Sequence, residues 1–199
     1  MLSQNNWLTM RLAAPVLATA LLTSSCAGAL FKVKPVVELP PLAGNVKTAS
    51  AGGATIKVAA LMSDEESQEL FEANLPLGGV LPVRLELVFE SGVPVEIKRV
   101  RFHLRDGAGR EWKMIPAKAA VSRIMKANDV FAYNPNSRKR FEKEFTTYAI
   151  DLKEPLSPSD RRRQGFLFFE TPKKEAVESP QGLVLSVEGL PQRVEVPLN

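Results

Sequence analysis

The sequence predicts a mainly β protein, an antiparallel sandwich built from short strands. Three observations support this fold class. Apolar and polar residues alternate over several segments of about four to eight residues, turn-forming residues separate those segments, and one late segment is apolar on both faces. Alternation buries one face of a strand, whereas a segment that is apolar on both faces belongs at the centre of a sheet. About six or seven such strands are typical of a β-sandwich.

The predicted domain begins with a strand at residues 55–60, whose apolar side chains share one face. A short helix follows this first strand, because Ser63 and Glu66 have the spacing of a capping box and acidic residues occupy the first turn. We expect the helix to end near Asn74, since a Leu-Pro-Leu-Gly-Gly run comes next.

The following strands are predicted from the same alternation. Residues 83–89 indicate a strand with one buried face. Residues 95–104 contain two apolar stretches that are out of phase by one residue, and a one-residue slip would expose a whole face to water. We therefore expect a β-bulge near Lys98 and Arg99 that restores the alternation. An Asp-Gly-Ala-Gly turn then predicts a hairpin with a strand at residues 111–115.

Two later segments carry a resemblance to a known family. Gly-Val-Leu-Pro-Val stands at residues 79–83, and Gly-Phe-Leu-Phe-Phe-Glu stands at residues 165–170 after a proline-marked turn at residues 155–160. On these motifs the chain resembles the immunoglobulin-like domains of poorly characterised bacterial lipoproteins. The resemblance implies an immunoglobulin-like antiparallel β-sandwich and indicates no activity. The Cys…Trp…Cys core of antibody domains is absent, so only the broader sandwich is implied.

A helical insertion is predicted between core strands, at about residues 116–163. Residues 117–126 are good helix formers with apolar side chains at helical spacing, and residues 141–150 predict a second helix with three aromatic side chains on one side. An insertion of this length is long for a passive connection, which makes it a candidate functional region. The alternative is that its helices only cap an open end of the sandwich.

Residues 1–25 have the layout of an export signal. Arg11 is their only basic residue, an apolar run occupies residues 12–22, and small residues follow. As a helix the apolar run would reach only about half way across a hydrocarbon core of about 30 Å. The segment is therefore predicted to be a removable signal peptide.

Cys26 is the only cysteine of the chain and lies directly after this signal. The run from Leu22 to Cys26 resembles the lipobox of bacterial lipoproteins, although Thr23 stands where that pattern prefers Leu. The resemblance implies a diacylglyceryl-modified Cys26 at the new N-terminus, and two or three acyl chains give stable anchoring. Ala27 is similar to the residue found in lipoproteins sorted to the outer membrane, which implies an anchor facing the periplasm. The alternative is ordinary secretion with cleavage after Ala29.

The predicted domain organisation is a signal peptide, a tether and one domain. Residues 26–53 are rich in Ala, Gly and Pro without a sustained period, which predicts a lipidated cysteine and a flexible tether of up to about 90 Å. The alternative is that residues 33–39 dock on the domain as an edge strand. Residues 54–199 then form the sandwich, with enough chain for one core.

Charge and cysteine content narrow the classes of partner. The net charge of the chain is +4, and removal of the signal lowers it by one to +3. This excess is too small to indicate a nucleic-acid partner. Because Cys26 is the single cysteine, the domain must be stabilised by burial and hydrogen bonds and not by disulfides.

Two basic triplets in the insertion are candidate contacts for an anion or a partner. They are Arg138, Lys139, Arg140, Arg161, Arg162 and Arg163. Guanidinium groups bind phosphate and carboxylate groups in bidentate fashion, so the triplets could contact anionic lipid headgroups, lipopolysaccharide phosphates or an acidic protein. The alternative is a solvated surface, because acidic residues are interleaved with both triplets and would cancel much of their field.

No catalytic or metal-binding constellation is predicted. His103, the only histidine, falls on the polar face of a strand between Arg101 and Arg105 and is expected at the surface. The chain has no Gly-x-Ser-x-Gly elbow, and the acids at residues 64–66 are better explained as a helix start than as metal ligands. We therefore expect no enzyme, no metal and no cofactor.

Together these features predict a membrane-anchored lipoprotein of the bacterial cell envelope that acts as a non-catalytic binding or scaffolding module. Its expected partners are the membrane, through the lipid anchor, and an envelope protein. Two alternatives remain open: an envelope hydrolase that uses a carboxylate pair, and a carrier of an apolar ligand held between sandwich and helices.

Overall fold

A computed structural model describes residues 34–42, 44–127 and 135–199. The predicted signal peptide and Cys26 lie outside the described residues. The strands of the described part are β1 (Lys47–Ala51), β2 (Ala54–Ala60), β3 (Val80–Phe89), β4 (Arg101–Arg105), β5 (Glu111–Ile115), β6 (Arg162–Glu170), β7 (Val184–Glu188) and β8 (Val194–Pro197). Its helices are α1 (Asp64–Phe71), α2 (Ala117–Ala127) and α3 (Pro135–Thr146), and single 3₁₀ turns occur at Val36–Glu38 and Pro76–Gly78.

The eight strands form one antiparallel sheet in the order β1-β2-β3-β6-β5-β4-β7-β8. The β4–β5 pairing is narrow, because only Leu104 opposite Trp112 and Arg105 opposite Glu111 join these strands. At the far side, β1 lies beside β8, and Asn45 Nδ2 donates to the Leu198 carbonyl at 3.3 Å. The sheet therefore nearly closes on itself.

The prediction of a mainly β, antiparallel fold is confirmed, whereas the immunoglobulin-like sandwich is not. A sandwich has two separate sheets, but here β5 pairs with β4 on one side and with β6 on the other. This double pairing joins the two halves into one continuous sheet. The alternation of the sequence could not distinguish these arrangements, because both bury at least one face of most strands.

The short helix after the first predicted strand is confirmed. Ser63 Oγ accepts a hydrogen bond from Glu66 N at 3.2 Å, and Glu66 Oε2 accepts one from Ser63 N at 3.2 Å, so the capping box is complete. The helix ends at Phe71, before the predicted Asn74, because Glu72 adopts a left-handed conformation with φ 51°.

Part of the predicted tether belongs to the sheet. Residues 47–51 form β1 and pair with β2 along their whole length. Gly52 and Gly53 have φ values of 53° and 91°, which glycine adopts without strain, and they make the tight turn between these strands. The small and polar side chains of β1 are at most partly buried up to its last residue, so the sequence carries little alternation to detect.

The inner core lies inside the closed sheet. We give this name to the mainly aliphatic cluster that β2, β3, β4, β6, β7 and β8 bury together with Trp112 of β5. Its fully buried members include Ile56, Val58, Leu85, Leu87, Leu104, Leu185 and Val187. The apolar parity predicted for these strands therefore points into the closed sheet.

The helical-side core covers the opposite face of β3 and β6. We define it by six aromatic residues that are each at most 2% exposed: Phe71, Phe141, Phe145, Tyr148, Phe166 and Phe168. The apolar face of α2 completes it. The insertion thus contains two helices as predicted, but they pack on a face of the sheet and not over an open end.

The second predicted helix is shifted along the chain. Residues 141–150 were expected to be helical, yet α3 begins at residue 135 and ends at Thr146. Beyond it, Phe166 N donates to the Tyr148 carbonyl at 2.7 Å, and Ile150 N donates to the Phe166 carbonyl at 3.3 Å. Gly165 permits this crossing, because a Cβ there would lie 2.5 Å from Ile150 Cα. The chain after α3 is therefore bonded to the edge of β6.

The predicted β-bulge near Lys98 and Arg99 is a turn. Val100 N donates to the Ile97 carbonyl at 3.1 Å, and β4 begins only at the next residue. The preceding piece forms an isolated bridge between Val95 and Leu156. The two apolar stretches are out of phase because a turn separates the extended segment around Val95 from β4.

Candidate functional site

The first basic triplet lies on the outer surface of α3. Arg138, Lys139 and Arg140 are all exposed. Arg140 Nε lies 2.7 Å from Glu144 Oε1, and this hydrogen bond raises the pKa of Arg140. One of the interleaved acids therefore pairs with the triplet, as the self-neutralised alternative expects.

The second basic triplet lies where β6 begins. Arg161 Nη2 donates to the Phe89 carbonyl at 3.4 Å. Arg163 pairs with Asp160, and the hydrogen bond raises the pKa of Arg163 and lowers that of Asp160. Arg162 faces β3. Among the described residues, no hydrogen bond or ion pair connects this triplet with the one on α3.

Strand register gathers five polar side chains on the outward face of β2, β3 and β6, beside the helical-side core. Lys57, Glu86 and Gln164 stand in one row across the three strands. Arg84 stands in the next row toward Phe168 and Arg162 in the next row away from it. Directly paired residues of antiparallel strands share a face. We call these five residues, Lys57, Arg84, Glu86, Arg162 and Gln164, the Arg84 cluster.

Glu86 is the contact point of the Arg84 cluster. Its carboxylate receives Lys57 Nζ at 3.2 Å and Arg162 Nη2 at 2.5 Å. Glu86 itself is 4% exposed, whereas the side chains of Lys57 and Arg162 are 41% and 54% exposed. The cluster is thus buried at its base and open to solvent along one side.

Arg84 is the unusual member of the cluster. The residue is 5% exposed, and its Nε has no hydrogen-bond partner among the described residues. Burial lowers the pKa of Arg84, Glu86 opposes this effect, and Arg162 adds to it. A guanidinium nevertheless remains protonated in proteins. The cluster therefore contains three cations for one carboxylate, and no described acidic residue forms an ion pair with the most buried cation.

Sequence reasoning found Arg162 but missed the other members of the cluster. Residues 83–89 were predicted to bury one face, and the structure buries both, including Arg84 and Glu86. A usable signal was present, because the segment at residues 165–170 is apolar on both faces and was predicted to be central. A strand paired with such a segment near the centre of a sheet also has both faces covered.

A second polar site holds the β4–β5 hairpin. Asp106 Oδ1 accepts from the Ala108 and Arg110 backbone N–H groups, and Oδ2 accepts from Arg110 Nε and from Trp112 Nε1. Burial raises the pKa of Asp106, but these hydrogen bonds outweigh it and hold the pKa below its usual value. An adjacent cleft of about 210 Å³ is lined by Arg110, Trp112, Thr171, Pro172, Glu175, Ala176, Glu178 and Pro180.

His103 occupies the surface position predicted for it. Its side chain is 46% exposed, and Nδ1 lies 3.4 Å from Glu111 Oε1. Within the described ranges, no three His, Cys, Asp or Glu side chains come together in a way that could hold a metal ion. In the same ranges, no helix combines the length and the apolar character needed to cross a bilayer.

No family model matches the chain, and no curated protein or solved structure is similar enough to be matched with it. The Arg84 cluster and Cys26 are therefore the two features of this chain from which a function can be proposed.

Proposed function

We propose that the chain is a lipid-anchored lipoprotein of the bacterial cell envelope, whose domain acts as a non-catalytic binding or scaffolding module. The observation that carries the proposal is the position of Cys26, the only cysteine, directly after an apolar run and two serines. Acyl chains on this residue would hold the domain at a bilayer, because each buried CH₂ contributes about 0.8 kcal/mol. Ala27 favours the outer membrane, with the domain facing the periplasm.

The described segment nearest to Cys26 is compatible with such an anchor. Val36 and Leu39 pack against the helical-side core. These contacts place this end of the described chain at the same core. The folded body therefore begins about ten residues after Cys26, and a lipid on that residue would keep the domain near the membrane surface.

The buried carboxylates support binding over hydrolysis. Glu86 is engaged by two cations and Asp106 by a guanidinium and an indole N–H. Among the described residues, neither carboxylate has a hydrogen bond to a second carboxylate, and a glycosidase needs two carboxylates that flank the scissile bond. The space where an apolar ligand would lie is filled by aromatic rings, whose neighbouring centroids are 5.0 to 6.4 Å apart. Both observations favour a surface that binds a partner.

The anchor is tested by replacing Cys26 with serine in the natural host. We expect Cys26→Ser to abolish metabolic labelling by fatty acid and to move the protein from the membrane pellet to the supernatant or to the unprocessed form. Ala29→Ser is the matched control, because it changes the neighbouring secretion site and keeps the cysteine.

Mass spectrometry of the mature N-terminus distinguishes the proposal from ordinary secretion. The proposal expects a chain that begins with diacylglyceryl-modified Cys26. Ordinary secretion expects an unmodified chain that begins at Leu30, after cleavage at Ala29. Detection of that unmodified chain, or of fatty-acid label in Cys26→Ser, would falsify the anchor.

A further inference from the structure

The Arg84 cluster presents a buried positive charge that the described residues do not neutralise by direct contact. Transfer of an unpaired charge into a protein interior is costly unless a counter-ion or hydrogen bonds offset the lost hydration. Glu86 already receives hydrogen bonds from Lys57 and Arg162, and it makes no hydrogen bond with Arg84. Among the described residues, Arg84 therefore has no acidic side chain in direct contact.

We infer that the Arg84 cluster binds a phosphate group, contacted by Arg84 and Arg162 with Lys57 at its edge. Charge decides the class of ligand. Three cations and Glu86 leave two positive charges, and a phosphate monoester carries about −1.5 to −2 at neutral pH. A carboxylate ligand would neutralise only half of this excess. The forked donors of the two guanidinium groups also match the oxygens of a phosphate.

Access to the site is provided by the exposed members of the cluster. The side chain of Arg162 is 54% exposed and that of Lys57 is 41% exposed, so a phosphate can arrive from solvent on this side. Glu86 accepts hydrogen bonds from both side chains. These bonds hold Lys57 and Arg162 in position before a ligand arrives. Such preorganisation lowers the entropic cost of binding.

An acid of the chain itself is the competing explanation. Asp129 is the only acidic residue among residues 1–33, 43 and 128–134, which the structure does not describe. If Asp129 neutralised Arg84, phosphate would not stabilise the wild-type protein. Asp129→Asn would then lower the melting temperature. Thermal melts with and without phosphate separate these outcomes.

The test is a thermal melt of the full-length chain in a non-ionic detergent, with inorganic phosphate compared with chloride at equal ionic strength. We expect phosphate at tenfold excess over its dissociation constant to raise the melting temperature by about 4 °C. Arg84→Met should weaken phosphate binding by at least about tenfold, since one charge-assisted contact is lost. Arg101→Met is the matched control, because Arg101 lies exposed on β4 and should leave the response unchanged.

The melting temperature without phosphate provides a second readout. Replacement of an unpaired buried charge by an apolar side chain of similar volume is often neutral or stabilising. Arg84→Met should therefore melt at the same temperature as the wild type or higher in chloride. If Arg84→Met does not fold, Arg162→Met carries the binding test, since Arg162 is largely exposed and its loss should still reduce phosphate affinity.

The source of the phosphate group is distinguished with mixed micelles. A response to inorganic phosphate indicates a small-molecule ligand, whereas a response only to micelles of phosphatidic acid, and not of phosphatidylcholine, indicates a lipid headgroup. No response to either probe overturns the inference. An undiminished response in both Arg84→Met and Arg162→Met also overturns it. Because these melts do not depend on acylation, an unmodified Cys26 would leave the phosphate site intact.

Discussion

The inner core and the helical-side core pack against opposite faces of the same central strands, yet they are built differently. Mainly Leu, Ile and Val side chains from neighbouring strands fill the inner core. Six aromatic residues from α1, α3, β6 and the segment after α3 dominate the helical-side core. The inner core therefore depends on local alternation, whereas the helical-side core depends on contacts between segments that are distant in sequence.

The two faces of β3 differ in the same way, because only the outward face combines apolar with charged residues. Around Pro82, opposite Phe168, it is covered by helices and aromatic rings. Arg84 stands directly opposite Phe166, at the border of this covered part, and Glu86 follows in the next row, opposite Gln164. The outward face of β3 therefore carries both apolar and charged residues, whereas its inner face is apolar from Leu81 to Phe89.

The largest expected effect comes from truncating the centre of the helical-side core. Phe71→Ala should lower the free energy of unfolding by about 3–5 kcal/mol, because it removes a fully buried ring and leaves a cavity. The rings that surround Phe71 at centroid distances of 5.0 to 6.4 Å are those of Phe145, Tyr148, Phe166 and Phe168. Urea denaturation followed by circular dichroism measures the loss.

The matched control for this change is Phe102→Ala in the inner core. Phe102 lies in β4 and is 6% exposed, so its truncation should cost less than that of Phe71. If Phe102→Ala lowers the free energy of unfolding as much as Phe71→Ala does, or more, the helical-side core is not the more sensitive of the two cores to truncation of an aromatic ring.

The next largest effect is expected at the edge of the inner core. Asp106→Asn should cost about 1.5–3 kcal/mol at pH 7, because the Arg110 and Trp112 donors lose a charged acceptor. The pKa of Asp106 is lowered in the folded state, so its contribution is complete above the unfolded value of about 3.9 and is lost as pH falls through the folded value. The variant should therefore lose less stability on acidification than the wild type.

This acid dependence is measured by urea titrations between pH 7 and pH 3. Trp112 emission serves as the probe in a Trp7→Phe background, where Trp112 is the only tryptophan. If Asp106→Asn loses as much stability as the wild type between pH 7 and pH 3, ionisation of Asp106 does not contribute to the acid dependence of stability.

The smallest of these effects is expected in the helical-side core at high pH. Tyr148→Phe removes the hydrogen bond from the hydroxyl to the Leu70 carbonyl at 3.2 Å and should cost about 0.5–1.5 kcal/mol. Burial raises the pKa of Tyr148 to about 12, although a backbone hydrogen bond with Lys34 opposes this rise. The stability due to the protonated hydroxyl is complete below about pH 10 and is lost as pH rises through about 12.

Stability measured from pH 8 to pH 11.5 tests this alkaline effect. Tyr148→Phe should show a shallower decline than the wild type. Tyr133→Phe, the same change at the only other tyrosine, controls for general alkaline destabilisation. We therefore expect the acid dependence of stability to arise at Asp106, beside the inner core, and the alkaline dependence at Tyr148, in the helical-side core. Identical pH profiles for Asp106→Asn and Tyr148→Phe would contradict this.

Much of the fold could be predicted from the sequence because alternation and capping are local. The capping box at Ser63 and the central strand around Phe168 were both identified, and so was the helix that became α2. The closure of the sheet could not be predicted in the same way. It depends on β5 pairing on both sides, and the five residues of this short strand carry no sequence signal that shows how many partners it has.

The candidate site was predictable only in part. Arg162 stood out because it belongs to a run of arginines, whereas Lys57 and Arg84 are single charges in alternating strands. Their proximity is created by the register of three strands, two of which are separated by more than seventy residues along the chain. Charge clusters of this kind have no local sequence signature.

The 3₁₀ turn at Val36–Glu38 limits how far the domain can lie from a lipid attached to Cys26. Because Val36 and Leu39 pack against the helical-side core, at most nine residues, 27–35, separate Cys26 from the docked part, and nine residues can span no more than about 30 Å. If Cys26 carries lipid as proposed, the domain would stay within about that distance of the bilayer surface. A binding partner farther from the membrane would then be out of reach.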